Sequence, residues 1–154
     1  KTAYEIPKRD WSSDVCSSDL LLSADEKTLY VADGDCERGD VCQLLSCPVN
    51  EHGSVPHHGK VLLNFQFGER GISGLTLDSE GNIICCMGWK KSGSGANILV
   101  VSPGGTILET HPAPADLPMR VAFGGADLGD LYVSCGGDGA LYRAKGIGRK
   151  GLKR

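Results

Sequence analysis

The 154-residue chain has no run of apolar residues long enough to cross a membrane as a helix. Its charge is close to balanced, 16 Lys and Arg against 19 Asp and Glu, so it lacks the basic surplus that nucleic acid or an acidic membrane surface would call for. Long helical periodicities are scarce, which points away from bundles and α/β layers. Its basic stretches "KKSGSGAN" and "KGIGRKGLKR" carry no interleaved aromatics for base stacking, and neither follows a strand as a P-loop would. Both read as solvated, flexible segments. No C-x-x-C or H-x-x-x-H pair occurs. Cys36, Cys42, Cys47, His52, His57 and His58 do fall within 23 residues, the side chains that a tetrahedral zinc site uses, but the spacing is wrong for one. Cys42 and Cys47 also have opposite parity along one strand and would face opposite sides. Small buried thiols or a loop disulfide are the expected alternatives.

What the chain does have is turn chemistry. Its 22 glycines and 7 prolines favour many short strands joined by tight turns. Three segments, "SADEKTLYVADGD", "DSEGNIICCMGW" and "ADLGDLYVSCGGDG", align as repeats of a polar turn followed by an apolar strand. Their strands begin near Leu29, Ile83 and Leu131, at spacings of 54 and 48 residues, close to the length of a four-stranded propeller blade. Gly, Asp and Asn turns then divide the chain into strands near Leu20 to Ser23, Thr28 to Ala32, Cys42 to Cys47 and Val61 to Phe65 in a first unit. A second unit has strands near Leu75 to Leu77, Asn82 to Met87, Ala96 to Ser102 and Ile107 to Thr110. The third has Val121 to Phe123, Asp130 to Ser134 and Ala140 to Ala144, one strand fewer. The pattern predicts an all-β fold of about three propeller blades, with a jelly roll or simple sandwich as the competing architecture.

The first twenty residues, "KTAYEIPKRDWSSDVCSSDL", follow neither the helical nor the strand period, and charged or hydroxyl groups interrupt every apolar pair, unlike a secretory signal. Back-translated, Lys1 to Ile6 and Asp10 to Leu20 resemble a widely used sequencing adaptor, so residues 1–20 are expected to be a cloning or assembly scar. The 154 residues less these 20 leave 134, enough for one modest domain. The expected division is 1–20 scar, 21–146 propeller blades and 147–154 flexible basic tail. The compartment stays open, because the scar stands where an upstream signal would be.

"GISGLTLDSEGNI", "NILVVSPGGTILETHPAPADLPMRVAFGGADLGDLYVSCGG" and "ALYRAKGIGRKG" resemble the last blades of the senescence-marker-protein, gluconolactonase and regucalcin family, from about Leu21 to Gly151. The resemblance implies a six-bladed propeller of which this chain is a C-terminal part. It also implies a divalent cation, calcium first among candidates, in the central channel. Such a cation would polarise the carbonyl of a sugar lactone or similar ester and lower the pKa of water, while a carboxylate takes up the proton.

Carried over residue by residue, the resemblance puts an Asn ligand at Ser18, inside the scar, and the ligand or base Asp at Ser73, in "ISGL". A third landmark, Pro-Thr-Asn, reads Pro118, Met119, Arg120. Ser73 is therefore the candidate catalytic and metal position, Ser18 the second metal position, and each is occupied by a neutral hydroxyl. On this reading the intact parent would take a small lactone or ester and a divalent cation. The chain itself is expected to bind no cation, to be inactive and to self-associate through uncovered sheet surfaces. A non-catalytic propeller that binds a ligand or protein in its channel is the alternative. Local readings accompany these: "DSEGN" as a hairpin turn with Asp78 bonding nearby backbone, and Asp33 as a strand-end or turn residue. Adjacent Cys85 and Cys86 would point to opposite faces, with at least one packed between blades.

Overall fold

The computed structural model describes residues 20–33, 41–55, 59–66 and 69–153. Eleven strands run in chain order: β1 Leu20–Leu22, β2 Thr28–Asp33, β3 Cys42–Pro48, β4 Lys60–Phe65, β5 Ile72–Leu77, β6 Ile83–Trp89, β7 Ser92–Val101, β8 Ile107–Pro112, β9 Pro118–Gly124, β10 Asp130–Cys135 and β11 Ala140–Ala144. They form three antiparallel meanders, β1-β2-β3-β4, β5-β6-β7-β8 and β9-β10-β11, each strand pairing with its sequence neighbour. The all-β architecture and the grouping of four, four and three strands agree with the sequence repeat.

Side-chain parity explains how the sheets stack. In β6 Ile83, Cys85 and Met87 join a cluster with Tyr30 and Leu44 of the first sheet, while Ile84 and Cys86 join a cluster with Val121, Leu131 and Val133 of the third. Successive residues of a strand face opposite sides, so the middle sheet is buried on both faces. Cys85 and Cys86 are both fully buried, one in each cluster. In the third sheet β10 alternates instead, Leu131, Val133 and Cys135 buried and the residues between them half-buried, as expected for a sheet packed on one face.

Polar side chains fix the turns. Ser23 Oγ accepts from the Thr28 amide at 2.9 Å, Asp78 Oδ1 from the Glu80 and Asn82 amides at 3.0 and 2.8 Å, and Ser102 Oγ from the Thr106 amide at 3.0 Å. These are the local bonds by which Ser and Asp initiate turns. The "DSEGN" hairpin is therefore as expected.

Three strands start three or four residues earlier than the sequence pattern indicates, β5 at Ile72, β7 at Ser92 and β9 at Pro118. The added residues are rich in Gly, Ser and Pro, which have low strand propensity, yet a ladder needs only backbone donors and acceptors. "KKSGSGAN" is accordingly the β6–β7 hairpin rather than a free loop, with Ser92 opposite Trp89. The basic tail also departs from expectation. Ser79 donates to the Lys150 carbonyl at 2.8 Å, Gly151 to the Leu128 carbonyl at 2.9 Å and Leu152 to the Leu77 carbonyl at 3.3 Å, so residues 150–152 are strapped across the ends of the second and third sheets. Backbone pairing and a buried ion pair, described below, hold a segment whose composition suggests mobility. Of the segment 1–20 only Leu20 falls among the described residues, where it opposes Val31.

Candidate functional site

β1, β5 and β9 are the first strands of their sheets, and β5 packs along both of the others. Close approach is possible because position 74 is glycine: a Cβ there would lie 2.8 Å from the Met119 carbonyl oxygen and 2.9 Å from the Arg120 Cα. That contact brings the start of β5, with Ser73, against the start of β9, with Arg120. These are two of the positions that the resemblance singled out, and they lie 47 residues apart in sequence. The Arg120 guanidinium donates through Nη1 to the Ser73 carbonyl, in a short contact, and to its neighbour's carbonyl on Met119 at 3.1 Å. A second guanidinium reaches Met119, Arg70 Nη2 lying 3.5 Å from its Sδ. Ser73 is 8% exposed.

A divalent cation does not fit these residues. Calcium and magnesium need several anionic or amide oxygens, whereas here a neutral hydroxyl and a guanidinium meet. A cation placed at the Ser73 carbonyl would face the positive charge already bound to that oxygen. Among the described residues no three His, Cys, Asp or Glu side chains come together in a way that could hold a metal ion. Ser18, the other expected ligand position, lies outside the described residues, as do Cys36, His57 and His58. Cys42 is disulfide-bonded, Cys47 is a free buried thiol, and His52 is exposed on a turn.

A second polar cluster sits at the other end of the inner strands, where the sequence signalled only a hairpin. Asp78, 1% exposed, accepts from Asn82 Nδ2 at 2.9 Å and from Arg149 Nη1 at 2.7 Å. The Arg149 guanidinium also reaches Glu109 through Nη2 and lies 3.7 Å from Glu80. Hydrogen bonds from Arg149 and then His111 hold the Glu109 carboxyl below the usual carboxylate range. Lys150 pairs with Asp127 at 3.1 Å. A cavity of about 310 Å³ opens beside this end, lined by Leu21, Leu22, Thr76, Leu77, Phe123 and Leu152 among others. The pairing of the nearby charges with one another suits structure rather than chemistry. No local sequence signal joins Asp78 to Arg149, since the pair forms only after the tail docks.

Meander sheets stacked face to face, with their first strands gathered on one side, define a segment of a β-propeller. The family model for the SMP-30/gluconolactonase/LRE-like region matches residues 12–137. The chain belongs to that family. It is similar to a 6-deoxy-6-sulfogluconolactonase of Pseudomonas putida, 35% identical over 92 residues, which cover 59% of this chain and 30% of that one. Among solved structures, a luciferin-regenerating enzyme superposes with a TM-score of 0.70 at 25% identity, covering 87% of this chain and 46% of that one. A calcium-binding protein, regucalcin, from Agrobacterium tumefaciens superposes with a TM-score of 0.66 at 19% identity, over 88% and 46%, and shows the fold alone. The chain thus spans about a third to a half of the length of these relatives.

Proposed function

We propose that this chain is the later part of a propeller hydrolase that opens sugar lactones or similar esters, and that the 154-residue chain by itself does not catalyse the reaction. Its family membership over residues 12–137 is the observation that supports a lactone-opening parent. The relative from Pseudomonas putida, named for a sugar lactone substrate, is consistent with it. For the chain itself, position 73 carries a neutral hydroxyl beside the Arg120 guanidinium, and among the described residues no three His, Cys, Asp or Glu side chains come together to hold a cation. No step through a metal is assigned to these residues.

The test has two arms. A longer protein that contains this chain should open D-glucono-1,5-lactone faster than the spontaneous rate in a pH-stat, and failure across several lactones and divalent cations would remove the lactonase reading. The 154-residue chain should show only the spontaneous rate. A second reading, a propeller that binds a ligand in its channel without catalysis, is favoured by the guanidinium on the Ser73 carbonyl. An inactive full-length protein would support it.

A further inference from the structure

We propose that two copies of this chain close on each other, the first sheet of each covering the third sheet of the other, to complete a single ring of sheets. The proposal concerns association and stands whether or not a longer protein opens lactones. Strand parity and register sort the side chains of the first sheet onto two faces. Leu21, Tyr30, Leu44 and Leu63 pack toward the middle sheet. On the opposite face the ladder sets Leu20, Val31, Leu45 and Val61 side by side in one row and Leu22 beside Leu29 in the next. None of these six joins a core cluster among the described residues. Leu20 and Val61 are exposed and the other four half-buried, so covering this face removes apolar surface from water.

The third sheet also keeps one face open. Val121, Leu131 and Val133 pack toward the middle sheet, so Ala122, Tyr132, Ser134 and Leu141 point away from it. Tyr132 lies over Gly124, where a Cβ would come 2.8 Å from the ring, and the Arg143 guanidinium stands 5.7 Å from the ring centroid while pairing with Asp130. A partner therefore meets paired rather than single charges here. Length points to a second copy as that partner. The three sheets superpose on a solved relative with a TM-score of 0.70 and account for 46% of it, so they keep its stacking over about half its length, and a second copy supplies the other half. Closure also doubles the contact. Strands about 4.8 Å apart that rise about 3.3 Å per residue give faces of roughly 300 Å², so one contact buries about 600 Å² and two bury about 1,200 Å², where stable interfaces begin. A two-fold axis forms both contacts at once.

Multi-angle light scattering over a concentration series tests this, and the mass should rise to a plateau at twice 16.3 kDa. Val61→Lys and Leu141→Glu, at exposed positions on the two faces, should each weaken dimerisation at least about tenfold, because a charge would be buried without a partner. Ile107→Lys, at an exposed position on the middle sheet, should leave it unchanged. Mixing the Val61→Lys and Leu141→Glu chains should restore a dimer, since opposite charges then share one contact and the other contact is native. Far-UV circular dichroism matching the native chain's establishes that each variant is folded. A monomer at every concentration would overturn the inference, as would a mass that climbs past the dimer without a plateau, the mark of open stacking. A dimer weakened by Val61→Lys but indifferent to Leu141→Glu would set first sheet against first sheet and overturn the pairing of faces.

Discussion

Ser73 and Arg120 change the chemistry of one strand junction with two side chains. In the sequence each was visible only as a separate departure from a family landmark. Their meeting through the Ser73 carbonyl needed the packing of β5 on β9, a contact 47 residues long in sequence. Asp78 was legible as a turn residue for the opposite reason: its bonds to the Glu80 and Asn82 amides are local. Its partner Arg149, 71 residues away, was not. Asp78 is 1% exposed and Arg149 is also well covered, so Arg149→Met should lower unfolding free energy by about 1 to 3 kcal/mol, measured by urea denaturation. A loss below a few tenths would show that the pair is idle. Glu109 has a folded-state pKa below its unfolded value, so its contribution is present above the ordinary Glu range and is lost as pH falls through the depressed value. Comparing the acid limb of stability in the native chain and in Arg149→Met should therefore show a shallower decline in the variant. The Cys85 thiol is pushed up chiefly by burial, with neighbouring Cys86 adding to it. Iodoacetamide at pH 8 should leave Cys85 and Cys86 unmodified in the native chain and label both in urea, as read by mass spectrometry. Rapid native labelling of either would contradict the two-sided burial of β6.

At the scale of elements, strands were read where a polar turn precedes alternating or continuous apolar residues, as in β2, β6 and β10. Their starts were missed where Gly, Ser or Pro begins the ladder, because backbone pairing leaves no hydrophobic trace. The tail was misread for a related cause: its composition is that of a linker, but its amides and carbonyls complete the ends of two sheets. Gly151 is the element's tightest point, where a Cβ would lie 2.4 Å from Phe123 Cβ. Gly151→Ala should destabilise the chain by about 1 to 3 kcal/mol and raise amide exchange at Leu152, whose amide donates to Leu77. Unchanged exchange there would mean that the strap is not held by this contact.

For the whole molecule, the middle sheet has both faces covered, whereas the first and third are packed on one. Leu20, Val61 and Leu141 are exposed at 57, 40 and 69% on these outer sheets. Apolar residues on uncovered sheets favour association, so multi-angle light scattering of the 154-residue chain should give a mass above 16.3 kDa that rises with concentration. A concentration-independent monomer would show that the outer faces are adequately solvated. The blade repeat and its all-β character were legible from the spacing of three turn-strand units. What the channel end does was not, because it depends on which charges converge there.

Calcium titration and lactone opening measured together on one preparation of the 154-residue chain, beside its Ser73→Asp variant, test the central claim most directly. With Ser73 beside Arg120, the native chain should show no saturable calcium binding and no hydrolysis above the spontaneous rate. The variant should still bind no calcium tightly, because one new carboxylate falls short of the several oxygens that calcium needs. Stoichiometric calcium binding by the native chain, or lactone opening that depends on it, would contradict the proposal that this chain by itself neither holds the cation nor catalyses.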